Sequence, residues 1–278
     1  MELIIKNIVT YPVKSMAGNE TKNAMCLTTG LKDDRKWVVI DANNKFVTQR
    51  QLPLLATIKT SVTNDKLTLR HPKTGAVTIA PSHFNDAAEL VTVWKDENKA
   101  LIADNLSSQW LTETLGKFKN AKLRLAMFSS QDERKVGTKY LPKQNATLQF
   151  ADACPYLITF EESLEALSSK LGIAIPMNRF RGNIVLSGLP PWEEYKVSKI
   201  KHESSLEFTM VGPCQRCQMT SIDQTNGSIA TPGQPLQTLM NDFPAKPDGL
   251  PYFGMHAYIS KGADATITVG DKVRAQLK

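Results

Sequence analysis

Short runs of period-two alternation, cut by turn residues, recur along this chain and limit its possible folds more than any other feature. Leu67 and Leu69 alternate with polar neighbours after Asn64-Asp65, and Val77 and Ile79 do so after Lys73-Thr74-Gly75. Alternation buries one face of a strand and the turn residues reverse its direction, so the pattern dictates hairpins. The same texture in LIIKNIVTYPV, KWVVID, KFVTQ and ATIKTSV makes the first third an antiparallel sheet or small barrel. Helical spacing is confined to a few stretches. Leu106, Trp110, Leu111 and Leu115 share one stripe and Gly116 can supply a left-handed stop, which predicts a helix over 104–115. Thr159 and Glu162 have capping-box spacing ahead of Leu164, Leu167 and Leu171, with Gly172 as the stop.

Strands return in FRGNIVLSG, SLEFTMVG, QMTSID and ATITVGDKVRAQL, interrupted by a short amphipathic helix after Pro235. A basic, irregular stretch near 118–122 marks a soft boundary around residue 120, with no Gly/Ser linker, so the two halves should pack tightly. The 278 residues suffice for one large domain or two modest ones. The expected fold is mainly β with a few helices, an α+β chain of two packed β-barrel-like units.

Charge and cysteine usage narrow the function. With 34 Lys+Arg against 27 Asp+Glu the net charge is +7, which suits an anionic ligand. The basic residues are scattered rather than blocked or interleaved with aromatics on a helix, so no nucleic-acid surface is indicated. No apolar run approaches the roughly 18 residues a membrane span needs. The opening MELIIKNIVTYPVKS lacks the order of a signal peptide, and the expectation is a cytoplasmic protein without a membrane segment. The four cysteines, Cys26, Cys154, Cys214 and Cys217, are too few for a disulfide framework and point to reduced thiols. Glycine-rich nucleotide loops, HExxH and GxSxG are absent from the sequence, which removes the main support for nucleotide-dependent, zinc-protease and serine-hydrolase readings.

Chemistry concentrates in four clusters. Gly212-Pro213-Cys214-Gln215-Arg216-Cys217 is a Cys-x-x-Cys without the second ligand pair a zinc ribbon needs, and His71, His83, His202 and His256 form no ligand pair. A thioredoxin-like site would need a helix after the motif, whereas QMTSID reads as strand. The spacing of the four cysteines matches no ferredoxin pattern. Two readings stay open: one thiolate binding a metal carried by a cofactor, with Arg216 favouring the ionised sulfur, or two small residues in a loop. Lys14-Ser15 with Arg35 offers a point charge, a hydroxyl and a guanidinium fork, the donors a phosphate monoester needs, although solvated lysine and a structural Asp-Arg pair would read the same. Arg181 and Asn183 enter an apolar strand, where they either meet the edge of a heterocycle or tie a corner of the fold. Asp152 lies beside Cys154 in a turn-prone segment, where it serves as a turn residue or as an acid-base group.

These clusters occur in the order found in one family. YPVKSMAG, GLKDDRKWVVID with FVTQRQLP, FADACP, NRFRGNIVLSG, GPCQRCQMTSID and FGMHAYI with ITVGDKV span about residues 3 to 275 and resemble MOSC proteins with an N-terminal MOSC barrel. That group contains the mitochondrial amidoxime-reducing component and its bacterial relatives. The resemblance implies an N-terminal MOSC β-barrel domain over 1–120 and a MOSC domain over 121–278. It implies a molybdenum cofactor, molybdopterin with Mo, between the two units. By the same resemblance Cys217 is the metal ligand, with Cys214 as the alternative sulfur. Lys14, Ser15 and Arg35 match cofactor-phosphate contacts, Arg181 and Asn183 match contacts to the pterin, and Arg216 is a further cofactor-binding residue. Asp152 matches an active-site carboxylate and proton relay.

The implied activity is an oxidoreductase that reduces N-hydroxylated compounds (hydroxylamines, N-hydroxylated bases, amidoximes) to amines, a detoxification chemistry. Some bacterial relatives carry a ferredoxin module at the C-terminus; this sequence has no cysteines to build one, so the expected electron donor is a separate ferredoxin or flavin reductase. Cys154 stands where related sequences often carry a small hydroxyl residue. The alternative is a cofactor-binding or sulfur-carrier protein without turnover of its own, since MOSC domains also occur in molybdenum-cofactor sulfurases. The absence of a pyridoxal-phosphate domain from this sequence weakens that role.

Overall fold

The computed structural model describes residues 1–141, 146–243 and 245–278. The chain begins with β1 (Glu2–Thr10), β2 (Asn19–Thr21), β3 (Asn23–Leu27), β4 (Gly30–Leu31) and β5 (Trp37–Ile40). It continues through β6 (Lys59–Thr63), β7 (Lys66–His71), β8 (Gly75–Ile79), β9 (Glu89–Val93), β10 (Asp96–Ile102), α1 (Asn105–Leu115) and β11 (Arg124–Phe128). The later residues form β12 (Tyr156–Phe160), α2 (Glu161–Leu171), β13 (Ile184–Ser187), β14 (Val197–His202), β15 (Glu207–Gln215), α3 (Leu236–Asp242), β16 (Tyr252–Lys261), β17 (Thr266–Thr268) and β18 (Lys272–Leu277).

Seven strands close into a barrel in the order β13-β12-β16-β15-β14-β18-β1, and β1 returns to pair with β13 through Ile8 and Ile184. Closure removes the free edges that an open sheet leaves exposed. Its interior is a continuous apolar core that includes Leu3, Ile5, Ile158, Phe160, Phe208 and Met255. The other half is an open, half-barrel arrangement. Strands β5-β11-β10-β9 form a four-stranded sheet, and β6-β7-β8 form the predicted meander. Their core gathers Trp37, Val39, Leu67, Leu69, Trp110 and Leu111.

Strand β1 belongs to the barrel of the later residues, while β11, just beyond residue 120, pairs with β5 and β10 in the first half's sheet. A cut of the sequence at residue 120 therefore does not coincide with a cut of the fold. The chain crosses between the halves after β1 and after β11, and these crossings bring distant segments to a common cleft.

Most elements follow local chemistry. Helix α1 is N-capped by Asp104, whose carboxylate accepts from the Leu106 amide, and stops at Gly116 with φ +82°. Three expectations fail. KFVTQ forms no strand, and its Lys45 and Phe46 make only single bridges to Thr92 and Ile40. Thr159 does not cap α2; Phe160 is the N-cap residue and makes no side-chain cap. Thr159 lies inside β12, where its side chain fills the space that a Cβ at Gly182 or Gly254 would occupy, at 2.7 and 2.9 Å. QMTSID is not a strand. Residues Gln218–Ser221 form one 3-10 turn, closed where the Thr220 amide and hydroxyl both donate to the Cys217 carbonyl at 3.1 and 3.0 Å. This hydroxyl bond offers the backbone an alternative to the ladder and overrides the β-prone composition.

Candidate active-site cleft

A cleft of about 920 Å³ opens between the two halves, and every residue singled out above lines it: Lys14, Ser15, Arg35, Asp152, Arg181, Asn183, Arg216 and Cys217, with Cys154 and Cys214. Among the described residues, nine cationic side chains face it against two carboxylates, Asp96 and Asp152. A concave wall of one sign focuses its field on the opposite charge, so the cleft is built for an anion.

Lys14 and Ser15 follow β1 at the crossover, where the Lys14 amide donates to the Trp37 carbonyl at 2.8 Å. Lys14 is buried, and its Nζ donates to the Phe150 carbonyl at 2.6 Å and to Asp152 Oδ1 at 2.5 Å. Burial pulls the ammonium below the ordinary lysine value, and Asp152 works against that pull. For Asp152 burial would raise the carboxyl, but Lys14 and the Trp94 indole, which donates to Oδ1 at 2.8 Å, hold it well below the usual carboxylate range. Lys14 and Trp94 thus favour the ionised carboxylate, which anchors Lys14.

Arg35 and Arg181 both lie over the Tyr11 ring, 4.4 and 4.2 Å from its centre. Arg35 pairs with buried Asp34 at 2.5 Å and donates to the Arg181 carbonyl at 3.0 Å. Asp34 also accepts from the Tyr11 amide at 2.8 Å and from Asn183 Nδ2 at 3.0 Å. Arg181 is buried and donates to the Met16 carbonyl at 2.7 Å. Asn183 also donates to the Val9 carbonyl and accepts from the Leu157 amide, both at 3.2 Å, so its amide ties β1 to β12 behind the cleft wall.

Four residues on this wall, Ser15, Arg35, Trp94 and Arg181, hold left-handed backbone at φ +70°, +50°, +60° and +55°. Such conformations cost about 1–3 kcal/mol each for residues with a Cβ and concentrate at functional sites.

The two sulfurs of the Cys-x-x-Cys differ sharply. Cys214, near the end of β15, is buried, and Arg216 Nη1 donates to its Sγ at 2.9 Å. Burial would raise this thiol, yet Arg216 and then His256 bring it down to about 7. Cys217, at the head of the 3-10 turn, is exposed to the cleft. Arg216 Nη2 donates to the Phe180 carbonyl at 2.8 Å, while its Nε is buried with no partner among the described residues. Cys154 is buried and its thiol is pushed up by burial. Among the described residues no three His, Cys, Asp or Glu side chains form a ready metal cage. A metal here would depend on ligands brought by another group.

Trp94 and His256 also line the cleft, and Tyr11 and Asp34 stand behind its arginines; none of the four was identified as a site residue by sequence reasoning. Trp94 left a usable signal, a large aromatic residue at a hairpin tip, and Asp34-Arg35 already read as a structural ion pair.

Residues 2–118 match the family model described as the MOSC N-terminal beta barrel domain, and residues 145–274 match the MOSC domain. Over 277 residues the chain is 30% identical to mitochondrial amidoxime reducing component 2 of Homo sapiens, covering 95% of this chain and 80% of that protein. It is 30% identical over 279 residues to mitochondrial amidoxime-reducing component 1 of Mus musculus, covering 95% and 79%. It is 28% identical over 257 residues to the molybdenum cofactor sulfurase of Oryza sativa subsp. japonica, covering 86% of this chain but 30% of that longer protein. No helix among the described residues is long and apolar enough to cross a membrane.

Proposed function

Because the chain belongs to the MOSC family, with amidoxime reducing components among its relatives, we propose that it is a molybdenum-cofactor-dependent oxidoreductase that reduces N-hydroxylated compounds to amines. Its substrates on this reading are hydroxylamines, N-hydroxylated bases and amidoximes, and its electrons come from a separate ferredoxin or flavin reductase. The observation that carries the proposal is one exposed thiol, Cys217, in a cleft where Lys14, Arg35, Arg181 and Arg216 converge from distant segments.

The donor set fits the cofactor. A soft thiolate suits molybdenum, and the clustered cations with the free Nε of Arg216 suit a phosphate and a heterocycle rich in acceptors. Cys217 is the metal ligand in this proposal, since Cys214 already has Arg216 and His256 as charge partners. Lys14, Ser15 and Arg35 hold the phosphate end. Arg181 and Arg216 face the pterin, and Asn183 backs Arg35 through Asp34. When bound, the cofactor supplies the two-electron reduction of the N–O bond.

The chain's own residues bind, orient and tune charge. Asp152 keeps Lys14 fixed, and Lys14 favours the ionised form of Asp152. Cys214 Sγ, brought down to about 7, is partly ionised at neutral pH and pins the Arg216 guanidinium. The Tyr11 ring beneath Arg35 and Arg181 keeps water from their inner faces.

The test is turnover of benzamidoxime by protein made in a host that synthesises the cofactor, with reduced viologen as donor. Formation of benzamidine, absent without protein, is the expected result. Loaded protein that forms none would favour the carrier alternative, which the likeness to sulfurases supports.

A further inference from the structure

The cations of the cleft divide into two groups. Lys14, Arg35 and Arg134 each meet a carboxylate: Asp152, Asp34 and Asp96. Arg181 and Arg216 are held by main-chain carbonyls. Arg50, Lys95, Lys135 and Lys139 line the same cleft, yet none of them meets a carboxylate among the described residues. The three lysines are exposed.

These free cations are not scattered. The Arg50 guanidinium lies over the Trp94 ring, 4.4 Å from its centre, and Lys95 follows Trp94 in the turn between β9 and β10. Arg134 donates through Nε and Nη2 to Asp96 at 3.0 and 2.8 Å, which brings Lys135 beside the same hairpin. Trp94 itself is locked, in left-handed backbone, by its indole bond to Asp152. Like charges gathered in a concavity repel one another until an anion enters, and a fixed aromatic ring beside them adds a flat apolar contact.

Resting on the reductase reading, we propose that the outer half of the cleft selects planar aromatic N-hydroxy compounds that carry a negative charge, a carboxylate or a phosphate. The substrate ring packs at Trp94 and Arg50, and its anion sits between Lys95 and Lys135. A positive rim could instead dock an acidic donor protein. The concave placement and the locked ring favour a small ligand.

The test is equilibrium binding to cofactor-loaded protein without any electron donor, comparing 4-carboxybenzamidoxime with its neutral 4-carboxamide. The account expects the carboxylate to bind about tenfold more tightly. That advantage should shrink with salt and vanish in the Lys95→Ala/Lys135→Ala variant, which folds because both side chains are exposed. Equal affinities, or an advantage untouched by the double variant, would overturn the proposal. So would a double variant that keeps the binding advantage and, once an acidic donor protein is added, loses reduction. An intact binding preference with no reduction once donor is added would leave the subsite standing and overturn the reductase reading.

Discussion

On the floor of the cleft, Lys14 and Arg181 are buried, and each is held by a carboxylate, a carbonyl or an aromatic ring. At its rim, Lys95, Lys135 and Lys139 are exposed and meet no carboxylate among the described residues. The same charge therefore plays two parts. Floor cations are positioned by the fold and in turn hold it together across the two halves, whereas rim cations are free to choose a ligand. Altering the floor should cost stability and cofactor together; altering the rim should change only what binds.

The largest effect is expected at Asp34. Asp34→Ala leaves Arg35 without its partner and removes acceptors from the Tyr11 amide and Asn183. A loss of about 3–5 kcal/mol in urea unfolding is expected. A variant as stable as the wild type would break the distinction between floor and rim.

Glu194 supplies the contrast of a buried carboxylate outside the cleft that pairs with no cation among the described residues. Burial pushes it up to about 7, against a hydrogen bond from Ser163. Its protonated form is favoured in the fold, so this group's contribution to stability is full below about pH 4.5 and is lost as pH rises through about 7, about 3 kcal/mol in all. Glu194→Gln should remove that slope in unfolding measured across pH and leave cofactor content unchanged. A slope that persists would assign it to other groups.

Trp94→Phe keeps an aromatic ring but loses the donor to Asp152. Stability should drop by about 0.5–1.5 kcal/mol, read as a lower denaturation midpoint. The smallest effect is expected for Lys95→Ala and Lys135→Ala, each within about 0.5 kcal/mol of wild type. A larger loss at either would mean that the rim is structural after all.

The barrel strands and α1 were legible in the sequence because alternation and the Gly116 stop act locally. The site was legible only as fragments. Lys14 and Asp152 could each be named, but they are 138 residues apart and nothing local pairs them. Their contact depends on the crossing of the chain after β1 and on Trp94 reaching over from the β9–β10 turn. Thr159 misled because its capping pattern is a local signal, while its side chain answers to a tertiary one, the gap left by Gly182 and Gly254. The two cysteines are equivalent by spacing, and burial together with the Arg216 bond to Cys214 separates them.

That separation is the central claim, and molybdenum and pterin content test it most directly. Wild-type protein, Cys217→Ser and Cys214→Ser would be purified from a host that makes the cofactor and compared by elemental analysis and fluorescence of oxidised pterin. The account predicts about one metal and one pterin per chain in the wild type, loss of metal in Cys217→Ser, and metal retained in Cys214→Ser. Metal retained without Cys217 and lost without Cys214, or no metal and pterin in any of the three, would contradict it.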